Sequence, residues 1–231
     1  MVGENMQIAQ SVVVITAAGS AIGRAMAMHF SQLGAHIALI DTDASHLQTT
    51  LECCQTLKNP CHGYLIKDLT EANIHQIGLK VLQDFGSIDI LVNCWQGIVL
   101  PNLLSSHSEE HMTQALTQDS TLFFSFGRFI ANYMKSNKRA GVILNVITSE
   151  TLDTANYTIG NKAMIAGLTQ NWAKELKHFD IRVGSIVPIS YQETNTSAPL
   201  SLSMQYEMVR SAEYIVENDY FNGRIIEAEH Q

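Results

Sequence analysis

Four features are missing from this chain of 231 residues, and each absence closes off a class of function. No uninterrupted apolar run approaches the roughly 18 residues that a membrane-spanning helix needs, so no membrane partner is expected. The opening MVGENMQIAQ carries Glu4 and no apolar core, which argues against a secretory leader. Basic runs are absent too. With 14 Lys and Arg against 22 Asp and Glu, the formal net charge of -8 disfavours a nucleic-acid backbone or an anionic lipid surface as partner. Cys53, Cys54, Cys61 and Cys94 lack the C-x-x-C spacing of a zinc or dithiol site. A cytoplasmic protein with reduced thiols and no metal is expected.

What remains is a rhythm. Short runs rich in Val and Ile alternate with longer stretches of helical periodicity, the mark of βαβ units on a parallel sheet. Strands are predicted at 11–16, 36–41, 61–67, 88–93, 142–148, 182–187 and 224–227. Helices are predicted at 21–33, 44–57, 71–85, 109–137, 156–179 and 201–216. Near-continuous apolar strands such as VVVIT and HIALID suit a sheet covered on both faces. The expected fold is therefore α/β: one Rossmann-type domain over 1–231, three-layered, with a seven-stranded, mostly parallel, doubly wound sheet. Pro188 to Leu200 reads as a polar loop after a late strand, either facing a substrate or plain surface.

The first strand runs into TAAGSAIG, Thr16 to Gly23, and then a helix. Amides at a helix N-terminus and the positive end of its dipole make such a turn a seat for a pyrophosphate. Asp41 ends the second strand, 18 residues beyond Gly23, where a carboxylate can accept both hydroxyls of an adenosine ribose and repel a 2′-phosphate. NAD is favoured over NADP on that ground. The turn could also be a strand-helix junction that binds nothing, and Asp41 an ordinary turn former.

The turn resembles the TGxxxGIG segment of the short-chain dehydrogenase/reductase family, with Ala17 and Ala21 in place of the first two glycines and Gly23 kept. Further likeness lies in IDILVN (88–93), NKAMIAGLTQNWAKEL (161–176) and DIRVGSIVP (180–188), and is greatest to the 3-oxoacyl-acyl carrier protein reductases and their acetoacetyl-CoA relatives. The resemblance implies a dinucleotide held by Thr16, Gly19, Ala21, Ile22 and Gly23 at the turn. It adds Asp41, Asp68 and Leu69 around the adenosine, with Asp68 on the adenine amino group or else acting as a helix cap. Asn93, Lys162 and Pro188 complete the implied set. Ala21 places a methyl group where the family lets the pyrophosphate approach, which predicts weakened binding.

The family's chemistry needs a Tyr and a Lys four residues apart on one helix face. A phenol with a pKa of about 10 exchanges a proton near neutrality only when a nearby ammonium lowers that value. Anchoring on NKAMIAGLT puts Lys162 at the lysine and Thr158, a far weaker acid, at the tyrosine. Tyr157 is one residue early, and an offset of five leaves side chains about 140° apart rather than about 40°. The other register pairs Tyr157 with Asn161 and loses the cation. A π-bulge could bring Tyr157 back to Lys162. The family's serine falls at Thr148 or Ser149, and its helix asparagine at Asp119. Trp95 stands in the NNAG segment, which here reads Asn93-Cys94-Trp95-Gln96.

His107-x-Glu109-Glu110-His111 lacks the H-E-x-x-H order of zinc proteases and reads as a helix start. Phe123, Phe124, Phe126, Phe129 and Tyr133 read as core plus a subunit interface in a homodimer or homotetramer. Two functions follow. One is an NAD(H)-dependent oxidoreductase acting, slowly, on a carbonyl or acyl-thioester substrate. The other is a non-catalytic relative that binds a nucleotide or a partner protein.

Overall fold

Strand β1 (Val12–Thr16) is buried throughout, as VVVIT suggests, and β2 (His36–Asp41) lies parallel beside it. The computed structural model describes residues 6–98, 104, 106, 108–114, 116–117, 121–148, 155–189 and 200–229. Around the first two strands come α1 (Ala21–Gln32), α2 (Ala44–Gln55), β3 (Cys61–Leu65), α3 (Glu71–Phe85) and β4 (Ile90–Trp95). Next follow α4 (Ser108–Gln114), α5 (Thr121–Ser136), β5 (Gly141–Ile147) and α6 (Ala155–Leu176). The chain closes with β6 (Ile181–Ile189), α7 (Leu202–Glu217) and β7 (Ile225–Glu229).

The strands form one sheet in the order β3-β2-β1-β4-β5-β6-β7, and every neighbouring pair is parallel. The expected "mostly parallel" sheet is thus wholly parallel. It is the doubly wound Rossmann-type arrangement: strand order reverses between β1 and β4, so a crevice opens beyond their carboxyl ends.

Alternate strand side chains feed two apolar layers. Val13 and Ile15 pack with Met26 and Phe30 of α1, Leu47 of α2, and Met208 and Ile215 of α7. Val14 packs on the other face with Ile74 of α3, Phe126 of α5 and Trp172 of α6. Phe30, Phe123 and Phe126 are fully buried, each worth roughly 1.5–3 kcal/mol.

Several boundaries differ from expectation: β4 is Ile90–Trp95 rather than 88–93, α2 ends at Gln55 rather than 57, and β6 runs on to Ile189 rather than 187. The single helix predicted at 109–137 is two, α4 and α5. The helix predicted at 156–179 ends at Leu176 and tightens into a 3₁₀ turn, Lys177–Phe179, closed by left-handed Asp180 (φ 58°). Edge strand β3 stops at Leu65 rather than Lys67, because its sole partner β2 ends opposite it at Asp41.

Candidate functional site

The turn after β1 is a knot of short-range bonds. Ser20 caps α1: its hydroxyl accepts from Gly23 N at 3.0 Å and donates to the Ala17 carbonyl at 2.8 Å. That carbonyl lies so close to Gly23 that a Cβ there would sit 2.3 Å from it, which is why the one retained glycine has to be glycine. Ala17 adopts a left-handed backbone, φ 45°, where an L side chain is strained. Ala21 and Ile22 open the helix, ahead of its first internal bond from Arg24 N to Ser20 O.

Asp41 locks the turn to β2. One carboxylate oxygen accepts from Gly19 N at 2.7 Å, and the other accepts from Asp43 N at 2.8 Å. Gly19 has no room for a side chain, since a Cβ would lie 2.5 Å from His46 Cβ. Arg24 reinforces the arrangement, donating to Gly19 O and to Thr50 Oγ1, each at 3.2 Å. Thr50 in turn donates to Ala18 O at 3.0 Å. Sequence reasoning missed Ser20, Arg24 and Thr50; a serine before the first helical residue was the legible signal.

Beyond these groups lies a cleft of about 370 Å³. Asp41, Thr42, Asp43, His46 and Leu69 line one end, the turn its middle, and Cys94, Trp95, Gln96, Gly97, Leu122 and Phe123 the other. Asp68 is exposed and outside this lining; Thr70, not Asp68, caps α3 by accepting from Asn73 N. Burial, with a lesser push from Asp41, drives the Cys94 thiol well above its ordinary pKa, leaving it inert.

Several expected cofactor contacts are turned inward. Thr16 accepts from Cys94 N at 2.9 Å and donates to Cys94 O, tying β1 to β4. Asn93 is fully buried, donating to Phe123 O at 2.9 Å. Pro188 sits within β6 opposite Ala228, beyond the last β5 pairing, where no amide is required of it on that side. Trp95 packs on Phe123, ring centroids 5.5 Å apart, so its indole belongs to the core layer as much as to the cleft.

Helix α6 resolves the two registers. Its inner face is Asn161, Ile165 and Thr169, at intervals of four, all fully buried. Asn161 grips Ile98 with both ends of its amide, accepting from Ile98 N at 2.8 Å and donating to Ile98 O at 3.0 Å. Lys162 is turned away, its ammonium 2.6 Å from Glu227 Oε1 on β7. The helix is α-helical from Ala155, so no bulge returns position 157 to the lysine; Tyr157 shares the stripe of Asn161, and Thr158 that of Lys162. Thr148, directly after β5, is buried, and its hydroxyl has no hydrogen-bond partner among the described residues. Ser149 and Asp119 lie outside the described residues, as do the side chains of Tyr157 and Thr158. Among the described residues there is no cluster of potential metal ligands, and no helix is long and apolar enough to cross a membrane.

Comparison with known proteins agrees with this architecture. The chain is 30% identical over 187 residues to a 3-oxoacyl-[acyl-carrier-protein] reductase of Thermotoga maritima, covering 79% of this chain and 75% of that one. It is 28% identical over 178 residues to the 2,3-dihydro-2,3-dihydroxybenzoate dehydrogenase of Bacillus subtilis, covering 75% and 67%. A short-chain type dehydrogenase/reductase from Mycobacterium marinum shares the fold with a TM-score of 0.80 at 18% identity, over 96% of this chain and 95% of that one. A 3-ketoacyl-(acyl-carrier-protein) reductase from Brucella melitensis, solved with NADH, gives 0.74 at 20% identity, over 96% and 98%. The short chain dehydrogenase profile matches residues 11–204, a stretch that runs from β1 through the turn, the cleft and α6, and the chain belongs to that family of oxidoreductases.

Proposed function

We propose that this protein is an NAD(H)-dependent oxidoreductase of low turnover acting on a carbonyl or 3-oxoacyl thioester. The observation that carries the cofactor assignment is Asp41, whose carboxylate lines the cleft one strand over from the turn and would repel a 2′-phosphate. The residues fit the group. Asp41 and Leu69 would take the adenosine, and the amides of Ala21 and Ile22 the pyrophosphate, with the Ala21 methyl loosening that contact. When bound, the nicotinamide supplies or accepts a hydride.

The chain's own part in the reaction is polar and protic. Thr148, with Ser149 beside it, would donate a hydrogen bond to the substrate oxygen. Tyr157, on the inner stripe of α6, would hold the proton that this oxygen gains or loses. Asn161 on that stripe is neutral, and Lys162 is spent on Glu227. The phenol therefore lacks the ammonium that would ready it near neutral pH, which supports slow chemistry. The relationship to 3-oxoacyl reductases supports the substrate class. Phe124 on α5 and Phe179 in the 3₁₀ turn after α6, both exposed, support a homodimer or homotetramer. The same loss of the cation favours a second reading, a relative kept for nucleotide binding alone.

Calorimetric titration with NADH and NADPH tests the assignment. NADH is expected to bind at least tenfold more tightly, and no binding of either at millimolar concentration would exclude the enzyme. If NADH binds, reduction of acetoacetyl-CoA that survives Tyr157→Phe undiminished would remove the phenol from the mechanism.

A further inference from the structure

Helix α2 packs on the edge strand β3 through a single stripe. Leu47, Leu51 and Cys54 recur at helical spacing and share one face of the helix. Cys61, Gly63 and Leu65 share one face of the strand. A Cβ built at Gly63 would lie 3.5 Å from Leu47 Cγ and 3.6 Å from Leu51 Cδ2, which sets those two faces against each other. The helix runs back against the strand direction, as a crossover from β2 to a parallel β3 must. One further step, about 4.5 Å beyond Leu51 on the helix and about 6.6 Å back from Gly63 on the strand, brings Cys54 opposite Cys61. The two thiols are within hydrogen-bonding reach of each other and lie in the same buried apolar cluster.

Both thiols are free, and neither lines the cleft. Their contact is unequal. Cys61 donates to Cys54, and this bond together with burial pushes the Cys61 thiol up, so Cys61 keeps its proton. The same bond favours the thiolate at Cys54, against the opposing effect of burial. A thiolate held beside a thiol is the pairing that thiol oxidation requires. Cys53 is partly exposed but stands about 100° round the helix from Cys54, off the stripe that meets β3.

We propose that Cys54 and Cys61 form a modification site, which hydrogen peroxide converts to a disulfide that staples the end of α2 to β3. The Cys54 thiolate attacks one peroxide oxygen, the O–O bond breaks, and the departing hydroxide takes up a proton to leave as water. The Cys61 sulfur then attacks the Cys54 sulfenic acid, the S–O bond breaks, and the hydroxyl leaves as a second water with the Cys61 proton. The two sulfurs give up two electrons in all, and the peroxide is reduced to two waters. Asp43 and His46, at the other end of α2, line the cleft, so the staple anchors an element that frames it.

Peroxide treatment of the folded full chain, alkylation of the remaining thiols in denaturant and mass spectrometry of tryptic peptides test this, since Lys58 lies between the two cysteines. The wild type is expected to join the Cys54 and Cys61 peptides, to keep Cys53 and Cys94 as alkylated thiols, and to regain all four thiols with dithiothreitol. Cys53→Ala is expected to form the same bond, whereas Cys61→Ala and Cys54→Ser form none. Four alkylated thiols after millimolar peroxide overturn the proposal. So does oxidation confined to Cys53, a bond from Cys53 to Cys61 or to a second chain, or a Cys54–Cys61 bond that forms only after the chain is unfolded.

Discussion

Ala17 holds a left-handed backbone, φ 45°, at the position where the family's turn has its first glycine. The conformation costs an L residue about 1–2 kcal/mol, and glycine gives back about 0.4–1 kcal/mol in unfolded-chain entropy. Ala17→Gly is therefore expected to stabilise the protein by about 0.5–1 kcal/mol in urea unfolding, and a loss of stability would contradict the strain. The missing glycine was visible in the sequence; that the backbone kept its glycine-like shape was not, because propensity alone would have let the turn relax. Tyr64 and Asp84 make a second residue-scale case. The Tyr64 hydroxyl donates to Asp84 Oδ2 at 2.7 Å and holds that carboxyl below its ordinary pKa, His62 and Lys80 adding to the effect. A carboxyl depressed on folding stabilises above its unfolded pKa of about 3.9, and the contribution is lost as pH falls through the lower folded value. The stability gap between wild type and Tyr64→Phe should be full at pH 7 and shrink below about pH 4. A gap that is constant from pH 7 to pH 2 would show that the pair does not matter to the titration.

Helix α7 ends on a side chain from the sheet. Arg182 of β6 donates to Ile215 O at 2.8 Å, Val216 O at 2.6 Å and Phe221 O at 3.3 Å, so one guanidinium serves the last carbonyls of the helix and the chain beyond it. Arg182→Met keeps most of the buried stem and removes the donors, and should cost about 2–3 kcal/mol. Chemical denaturation measures this, and an unchanged midpoint would mean water replaces the guanidinium freely. Nothing in DIRVGSIVP announced this role, since its partners lie more than 30 residues away. Local signals did better. The bounds of α3 were legible to the residue, with Glu71 in its first turn and Gly86, φ 79°, closing it. The site helix was legible as an element but ambiguous in rotation. The motif from Lys162 onward suggested one register, whereas the buried stripe through Asn161, Ile165 and Thr169 set the other. Burial on a helix is decided by the whole face, and one displaced lysine does not turn it.

At the scale of the whole molecule, the strand order and the crevice at the β1–β4 switch point follow from alternating apolar runs and the right-handed crossovers they require. The sign of the field in that crevice is also a whole-chain property. The protein carries a formal charge of -8, and Asp41 and Asp43 stand at the cleft, while the guanidinium of Arg24 is engaged with Gly19 O and Thr50. A dinucleotide is itself an anion, so long-range repulsion opposes its approach, and what favours it is short-range: hydrogen bonds and the N-terminal end of α1. Raising ionic strength from 0.01 M to 0.15 M shortens the screening length from about 30 Å to about 8 Å, which removes most of that repulsion and leaves the contacts inside the cleft almost untouched. Affinity for NADH should therefore rise with salt over this range, by a factor of about 2–5 on the scale of modest surface electrostatics. Isothermal titration at the two ionic strengths decides the matter. A dissociation constant that grows with salt would mean that the cationic groups around the turn govern the cleft, and that the net charge of the chain does not reach it.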